Sequence, residues 1–225
     1  MDYLATNLAK LQARIEETCK KVNRSPKEVT ILAASKYAND DAIDRLFELG
    51  ITTFGENRIQ DARTRIERFP QIEWHFIGSL QTNKVKYCQE FNLIHSLDRY
   101  RLAQALNEQG QKWDKVFNVL MQINISGEDT KHGIEPEAAL DFAGQVQKEF
   151  PNLKLCGLMT MAPYGQPEDS RPIFKSLRCL RDEIAKELAI PLDVLSMGMS
   201  NDFEVAIEEG ATIIRVGSAL FSKEG

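Results

Sequence analysis

The chain has 225 residues, of which 43% are hydrophobic and 27% are charged, a composition typical of a globular protein with a sizeable core. Its 28 basic and 33 acidic residues give a net charge of −5, which argues against nucleic acid or an anionic membrane surface as a partner. No hydrophobic run reaches the length of a membrane span, the cysteines lack paired spacing, and the histidines lack metal-ligand spacing. We therefore expect a cytoplasmic, reduced protein without a metal site.

An amphipathic helix is predicted at the start, because leucine and isoleucine recur at helical spacing from residue 4 to residue 15. The stretch 29–36 follows, a run of small and β-branched residues that ends in Lys36 and predicts a strand buried on both faces. Lys36 would then stand at the carboxyl end of a strand, where α/β folds place their ligands. Taken alone, this stretch favours the alternative that Lys36 simply ends the strand in solvent.

Seven further strands are predicted near residues 52–55, 73–78, 93–96, 116–125, 153–161, 192–197 and 211–216. Helices are predicted between them, including one that follows residue 79, one that closes near Gly110 and one that Pro136 opens. Eight strands that alternate with helices predict a single (β/α)8 barrel domain over residues 1–225, with an extra N-terminal helix. A doubly wound open sheet is the competing fold, but the glycine fingerprint of a dinucleotide-binding domain is missing after the first strand.

The ends of the last two strands carry the residues that indicate a site. Barrels commonly hold a phosphate group in the loops after strands seven and eight, which here contain Ser200 and then Arg215, Gly217 and Ser218. Each has an ordinary interpretation as well: Ser200 as a helix N-cap, Gly217 as a turn glycine and Arg215 in a salt bridge at the barrel end. Together with Lys36 on the adjacent first strand, they favour a Schiff base to a phosphorylated aldehyde or ketone.

Other residues allow a structural and a functional interpretation. His75 alternates with Trp74 in the third strand, so that one of the two points inward, and a histidine there is more often a core residue than a catalyst. Glu56 is interpreted as a charge at the start of a helix. Four methionines could wall a flat cofactor ring, although methionine is more usually core filler: Met159, Met161, Met197 and Met199.

Blocks along almost the whole chain resemble those of the pyridoxal phosphate homeostasis protein family. The most specific are LAASK at 32–36, FGEN at 54–57, WHFIG at 74–78, LQTNK at 80–84, GLMTM at 157–161, LSMGMS at 195–200 and IRVGSALF at 214–221. The fold of this family is similar to the N-terminal barrel domain of alanine racemase, the type III fold of pyridoxal 5′-phosphate (PLP) enzymes, without the second domain of that enzyme. The resemblance therefore implies a PLP-binding barrel.

The same resemblance implies a role for each predicted site residue. PLP would be held as an internal aldimine, a reversible Schiff base, on Lys36. Its phosphate would lie on Ser200 and on the amides of Gly217 and Ser218, and Arg215 would approach the pyridine nitrogen. Two more positions match pocket residues of the family, without an assigned role: Asn57 and His75.

The role of this family implies that the protein is not an enzyme and takes part in intracellular vitamin B6 homeostasis. Such a protein buffers PLP and delivers it, with PLP-dependent apoenzymes as the expected recipients. A weak PLP enzyme such as an amino-acid racemase is the alternative, but its second base would be a tyrosine from the absent domain, and Tyr37 is the only near candidate in the sequence. A Schiff-base aldolase without cofactor is a third possibility. We expect a monomer, because the dimer contact of the racemases needs their second domain.

Overall fold

The computed structural model describes residues 2–127 and 132–223, with Tyr37 described by its backbone alone. Eight strands form a closed barrel, in which each strand pairs in parallel with the next along the chain and the last pairs with the first. The strands are β1 Thr30–Ala34, β2 Thr53–Glu56, β3 Glu73–Phe76, β4 Leu93–Leu97, β5 Phe117–Gln122, β6 Leu153–Met159, β7 Val194–Ser196 and β8 Ile213–Val216. The predicted eight-stranded barrel is confirmed.

Helices surround the barrel, and none of those described is long and apolar enough to cross a membrane. The α-helices are α1 Tyr3–Lys21, α2 Asp40–Glu48, α3 Ile59–Arg68, α4 Tyr100–Trp113, α5 Ala139–Glu149, α6 Arg171–Leu188, α7 Phe203–Glu208 and α8 Ser218–Phe221. Short 3₁₀ turns lie at Pro26–Glu28, Ser35–Tyr37, Thr82–Tyr87, Pro136–Ala138 and Pro167–Ser170.

Helix α1 is the predicted extra N-terminal helix, and it ties the two ends of the barrel sequence together. The side-chain amide of Asn7 donates to the carbonyl oxygens of Leu220 at 3.0 Å and Ser222 at 2.9 Å. Arg14 forms an ion pair with Glu204 of α7 at 3.0 Å. The helix therefore holds the segment that follows β8, which borders the barrel mouth.

Three local predictions are wrong. The segment after β3 forms the 3₁₀ turn Thr82–Tyr87 instead of an α-helix. Helix α4 continues past Gly110 to Trp113 and ends at a left-handed Asp114, whose N–H donates to the Gly110 carbonyl oxygen. Gly110 serves a close approach inside the helix, where a Cβ would lie 2.6 Å from the carbonyl oxygen of Lys115. Pro136 opens a 3₁₀ turn, and α5 starts only at Ala139.

Buried side chains fall into two regions. The outer layer, between the strands and the helices, contains the predicted leucine stripe of α1 and most of the large apolar side chains. The barrel interior, enclosed by the strands, holds a small apolar cluster of Leu32, Leu93, Leu120, Met159 and Ile213. Buried polar side chains share this interior, and they lead towards the carboxyl ends of the strands.

Candidate functional site

A cavity of about 780 Å³ opens at the carboxyl ends of the strands, a volume suited to a small cofactor. Part of its wall is apolar, from Ile77 and Phe221 among others. Six of the seven predicted site residues line it, and they come from β8 and from the segments after β1, β2, β7 and β8: Lys36, Asn57, Ser200, Arg215, Gly217 and Ser218. The structure therefore brings together residues that are far apart in the sequence.

Lys36 stands just beyond β1, in the 3₁₀ turn Ser35–Tyr37, and not in the strand itself. Arg65 of α3 clamps this turn, donating to the carbonyl oxygen of Ser35 at 2.9 Å and to that of Ala38 at 2.5 Å. Arg65 also forms an ion pair with Glu56, whose carboxylate accepts a 2.5 Å bond from the Ser35 hydroxyl. These contacts fix the backbone on both sides of Lys36.

Glu56 is therefore not a charge at a helix start, as its place in the sequence had indicated. It is the last residue of β2, it is 1% exposed, and its charge is compensated by Arg65. A buried carboxylate requires such a partner. Sequence reasoning missed the pair because nothing in the sequence shows that α3 lies back over the end of β1.

Ser200 does not cap the helix that follows it in the sequence, so the N-cap interpretation is wrong for that helix. Helix α7 starts three residues later, with Asp202 at its N-cap position. The hydroxyl oxygen of Ser200 accepts the backbone N–H groups of Gly217 at 3.3 Å and Ala219 at 3.2 Å. The amides at the start of α8 thus converge on an oxygen atom at the cavity wall, which is the arrangement that suits an anion.

Gly217 is not a turn glycine that the backbone requires. Its φ is −116°, which any residue adopts. A Cβ placed on it would meet only ordinary contacts, with its nearest atoms being the carbonyl oxygen and Cβ of Ala34 at 3.6 and 3.7 Å. Because Ala34 also lines the cavity, a side chain at Gly217 would occupy space beside the cavity that the protein leaves open.

Arg215 is 6% exposed and lines the cavity from β8. Its guanidinium donates to the Ser196 hydroxyl oxygen at 2.7 Å and to the Thr160 carbonyl oxygen at 2.8 Å. Burial lowers the pKa of Arg215 to about 10, with the carboxylate of Asp202 acting in the opposite direction. No acidic side chain in the described part of the chain forms an ion pair with it, so the alternative of a salt bridge is wrong there.

His75 is the one predicted site residue that does not line the cavity. It lies in the barrel interior at 3% exposure, with its Nδ1 atom 3.0 Å from Nε2 of His95. Trp74 points the other way, into the outer layer, where its indole N–H donates to the carbonyl oxygen of Phe69. The prediction that one of the two points inward is confirmed, and the histidine is that one.

Of the four methionines, Met161 and Met199 line the cavity, whereas Met159 and Met197 are buried core residues. Tyr164, in the loop after β6, also borders the cavity and is 93% exposed. Tyr37 is thus not the only tyrosine near the site, and its own side chain lies outside the part of the structure that is described. Sequence reasoning missed Tyr164 because the loop that carries it shows no motif.

Comparisons with known proteins show the family and the fold. Residues 6–224 match the family model described as the N-terminal domain of alanine racemase. A pyridoxal phosphate homeostasis protein of Aquifex aeolicus is 45% identical over 220 residues, which cover 96% of each chain.

Two solved structures extend the comparison. The PipY protein of Synechococcus elongatus, whose structure was solved with PLP bound, is 30% identical with a TM-score of 0.84 over 97% of this chain and 100% of its own. Alanine racemase of Clostridium difficile is 15% identical with a TM-score of 0.75 over 98% of this chain and 56% of the racemase, a likeness that shows the fold alone.

Proposed function

The chain belongs to the pyridoxal phosphate homeostasis protein family, and we propose that it binds PLP in the cavity at the barrel mouth, as a carrier that holds and releases the cofactor. The observation that carries this proposal is the composition of the cavity. One lysine, one buried arginine and an anion-suited cluster of amide groups share a partly apolar space of about 780 Å³. The same family membership supports PLP as the ligand, since PipY was solved with PLP bound.

The donor set fits PLP in its chemistry. PLP combines a phosphate, a flat aromatic ring and an aldehyde, which forms a reversible covalent bond with a lysine amine. Lys36 would supply this amine. Ser200 and the Gly217 and Ser218 amides would bind the phosphate, while Arg215 would face the ring, between walls such as Met199.

The guanidinium of Arg215 supports a weakly activated ring. PLP enzymes place either an aspartate or an arginine at the pyridine nitrogen, and the aspartate is the partner that keeps this nitrogen protonated. A guanidinium has no acceptor and stays protonated at neutral pH, so it can donate a hydrogen bond to the ring but offers it no proton acceptor. We propose that this difference leaves PLP bound but weakly activated.

The proposal also covers the domain organisation, the oligomeric state, the location of the protein and the recipients of its PLP. We propose that residues 1–225 act as one domain, that the protein works as a monomer in the cytoplasm, and that PLP-dependent apoenzymes receive its PLP. Only four large hydrophobic side chains in the described ranges are notably exposed, which supports a monomer. Two of them lie at the cavity: Met161 and Tyr164.

The first experiment is a PLP titration followed by visible absorption, borohydride reduction and mass mapping of the modified lysine. We expect a yellow protein with the pyridoxyl mass on Lys36. The Lys36→Ala variant should lose the absorption band completely, while Lys84→Ala, outside this cavity, should keep it. A wild-type protein that stays colourless, or a label on another lysine alone, would contradict the proposal.

Carrier activity needs a separate measurement. The loaded protein would be mixed with a PLP-dependent apoenzyme in the presence of a phosphatase that destroys unbound PLP. Recovery of apoenzyme activity well above that with the same amount of PLP alone would support delivery. Recovery equal to that of PLP alone would reduce the role to storage.

Tyr164 gives the alternative, a weak racemase-type enzyme, one specific support. Its exposed side chain borders the cavity that Lys36 also lines, so that two side chains able to accept and donate a proton, Tyr164 and Lys36, face the same space. Exchange of Cα hydrogen for deuterium in amino acids tests it. Exchange that is lost in Tyr164→Phe with PLP still bound would favour the enzyme, and no exchange over a broad set of amino acids would exclude it.

A further inference from the structure

A line of hydrogen-bonded side chains crosses the barrel interior, from the amino-terminal mouth to the cavity. Glu73 Oε1 lies 3.1 Å from His75 Nε2, and His75 Nδ1 lies 3.0 Å from His95 Nε2. His95 Nδ1 lies 2.9 Å from Ser196 Oγ, to which Arg215 donates at 2.7 Å. We call these five residues the polar chain. Glu73 is half exposed, and the other four are buried.

The two ends of the polar chain determine where its hydrogens lie. Arg215 can only donate, so Ser196 accepts its bond and keeps its own hydrogen to donate to His95 Nδ1. An ionised Glu73 can only accept, so His75 donates from Nε2 and accepts at Nδ1 from His95. With both imidazoles neutral, this is the one assignment that satisfies all four contacts. Each histidine then carries its hydrogen on Nε2.

The surroundings of the polar chain support these protonation states. Burial holds the pKa of His95 well below its usual range, and the charge of Arg215 acts in the same direction, so that His95 is neutral. The hydrogen bond from His75 lowers the pKa of Glu73, which keeps that carboxylate ionised. The fixed carboxylate and guanidinium thus stand at opposite ends of a neutral connection.

Arg215 depends on this connection for its position. Its two described acceptors are neutral, the Ser196 hydroxyl and the Thr160 carbonyl oxygen. We propose that the polar chain holds Arg215 in the cofactor cavity, with Ser196 and His95 as positioning residues and Glu73 as the residue that sets their tautomers through His75. The proposal rests on PLP being the ligand of that cavity, and it adds the reason why the arginine points there.

Replacement of Glu73 by a donor should reverse the polar chain. A lysine at 73 would donate to His75 Nε2, so His75 would donate from Nδ1 and His95 from its own Nδ1 to Ser196. Ser196 would then accept two bonds, and its own hydrogen would have to compete for another acceptor although the residue is fully buried. The hold on Arg215 would weaken, although the substitution changes no residue that lines the cavity.

The test combines ¹⁵N NMR of the two histidines with the dissociation constant of PLP. Glu73→Gln keeps an accepting oxygen, whereas Glu73→Lys offers donors only. Glu90→Lys is the matched control, because it changes the charge by the same amount as Glu73→Lys. Glu90 borders the same surface depression as Glu73 and lies outside the polar chain. Both sites are exposed enough for the three variants to fold, which thermal unfolding would verify.

We expect Nε2–H tautomers for both histidines in the wild type, in Glu73→Gln and in Glu90→Lys. In Glu73→Lys, His95 should shift to the Nδ1–H form and PLP should bind about fivefold more weakly than to Glu90→Lys. A His95 tautomer that does not respond to Glu73→Lys, or an altered tautomer with unchanged affinity, would overturn the proposal. Absence of PLP binding in the wild type would instead overturn the proposed function, and this inference with it.

Discussion

The outer layer and the barrel interior are buried by the same strands and yet differ in chemistry. In β3, Trp74 faces the helices and packs against Phe54 with ring centroids 5.8 Å apart, whereas the next residue, His75, enters the polar chain. The outer layer owes its stability to apolar area, since Phe174 and its neighbours are fully excluded from water. The interior buries less apolar area, because polar side chains occupy part of it and hold an arginine at the cavity. One region therefore maintains the barrel, and the other orients the groups at its mouth.

The largest expected effect comes from the outer layer. Phe174→Ala should lower the free energy of unfolding by about 4 kcal/mol, because the fully buried ring of α6 leaves a cavity. The folded fraction should bind PLP with unchanged affinity, since no contact of the cavity is lost. Chemical denaturation measures the first quantity and a PLP titration the second. A large loss of affinity in the folded protein would show that the two regions are not separate.

Ser200→Ala should weaken PLP binding and leave the stability of the fold almost unchanged. Removal of a hydroxyl proposed to bind a charged phosphate should weaken PLP binding by roughly 2 kcal/mol, or about 30-fold. The free energy of unfolding should hardly change, because the amides of Gly217 and Ala219 lie at a partly exposed site where water can replace the hydroxyl. Asn201→Ala, at the next cavity position, serves as the control with a smaller effect. Equal affinity for wild type and Ser200→Ala would remove Ser200 from the site.

The free energy of unfolding should fall as the pH is lowered, because of a buried histidine in the barrel interior. The folded pKa of His95 lies below its unfolded value near 6.5, so below that pH the unfolded chain binds a proton that the folded chain excludes. Stability is therefore fully present above about pH 6.5 and is lost as the pH falls, by about 1.4 kcal/mol per pH unit. The slope between pH 6.5 and 5 should become smaller in His95→Gln.

The free energy of unfolding should also fall at alkaline pH, because of a buried thiol in the outer layer. Burial raises the pKa of the Cys88 thiol to about 12. Between the unfolded value near 9 and that pH, the folded chain keeps a proton that the unfolded chain releases, so stability falls as the pH rises. Cys88→Ala should flatten this limb of the stability curve and leave the acid limb unchanged. An alkaline limb of the same slope in both proteins would contradict the assignment.

The same contrast explains how much the sequence can predict. Helical stripes such as Leu4, Leu8 and Leu11 show directly which faces are buried, and alternating strands and helices predict the barrel. The cavity follows as well, because the carboxyl ends of all eight strands meet at one mouth, which unites Lys36 and Arg215.

The partners inside the barrel could not be predicted in this way. His95 meets His75 and Ser196 only because β3, β4 and β7 have a particular register and curvature, which no local pattern encodes. The pair of Arg65 and Glu56 depends likewise on the angle at which α3 returns. Side-chain contacts between elements distant in sequence are thus the part that the structure had to supply.

The pairing of β1 with β8, where Leu32 lies opposite Arg215, has a consequence for the protein during its synthesis. Lys36 leaves the ribosome long before Gly217 and Ser218 are made, so a nascent chain has the amine but not yet the residues proposed to bind the phosphate. PLP can therefore stabilise the protein only after the barrel has closed, and it cannot act as a template for the early strands. The yellow colour of bound cofactor would then mark a chain whose translation has passed β8, which makes it a natural reporter of completed folding.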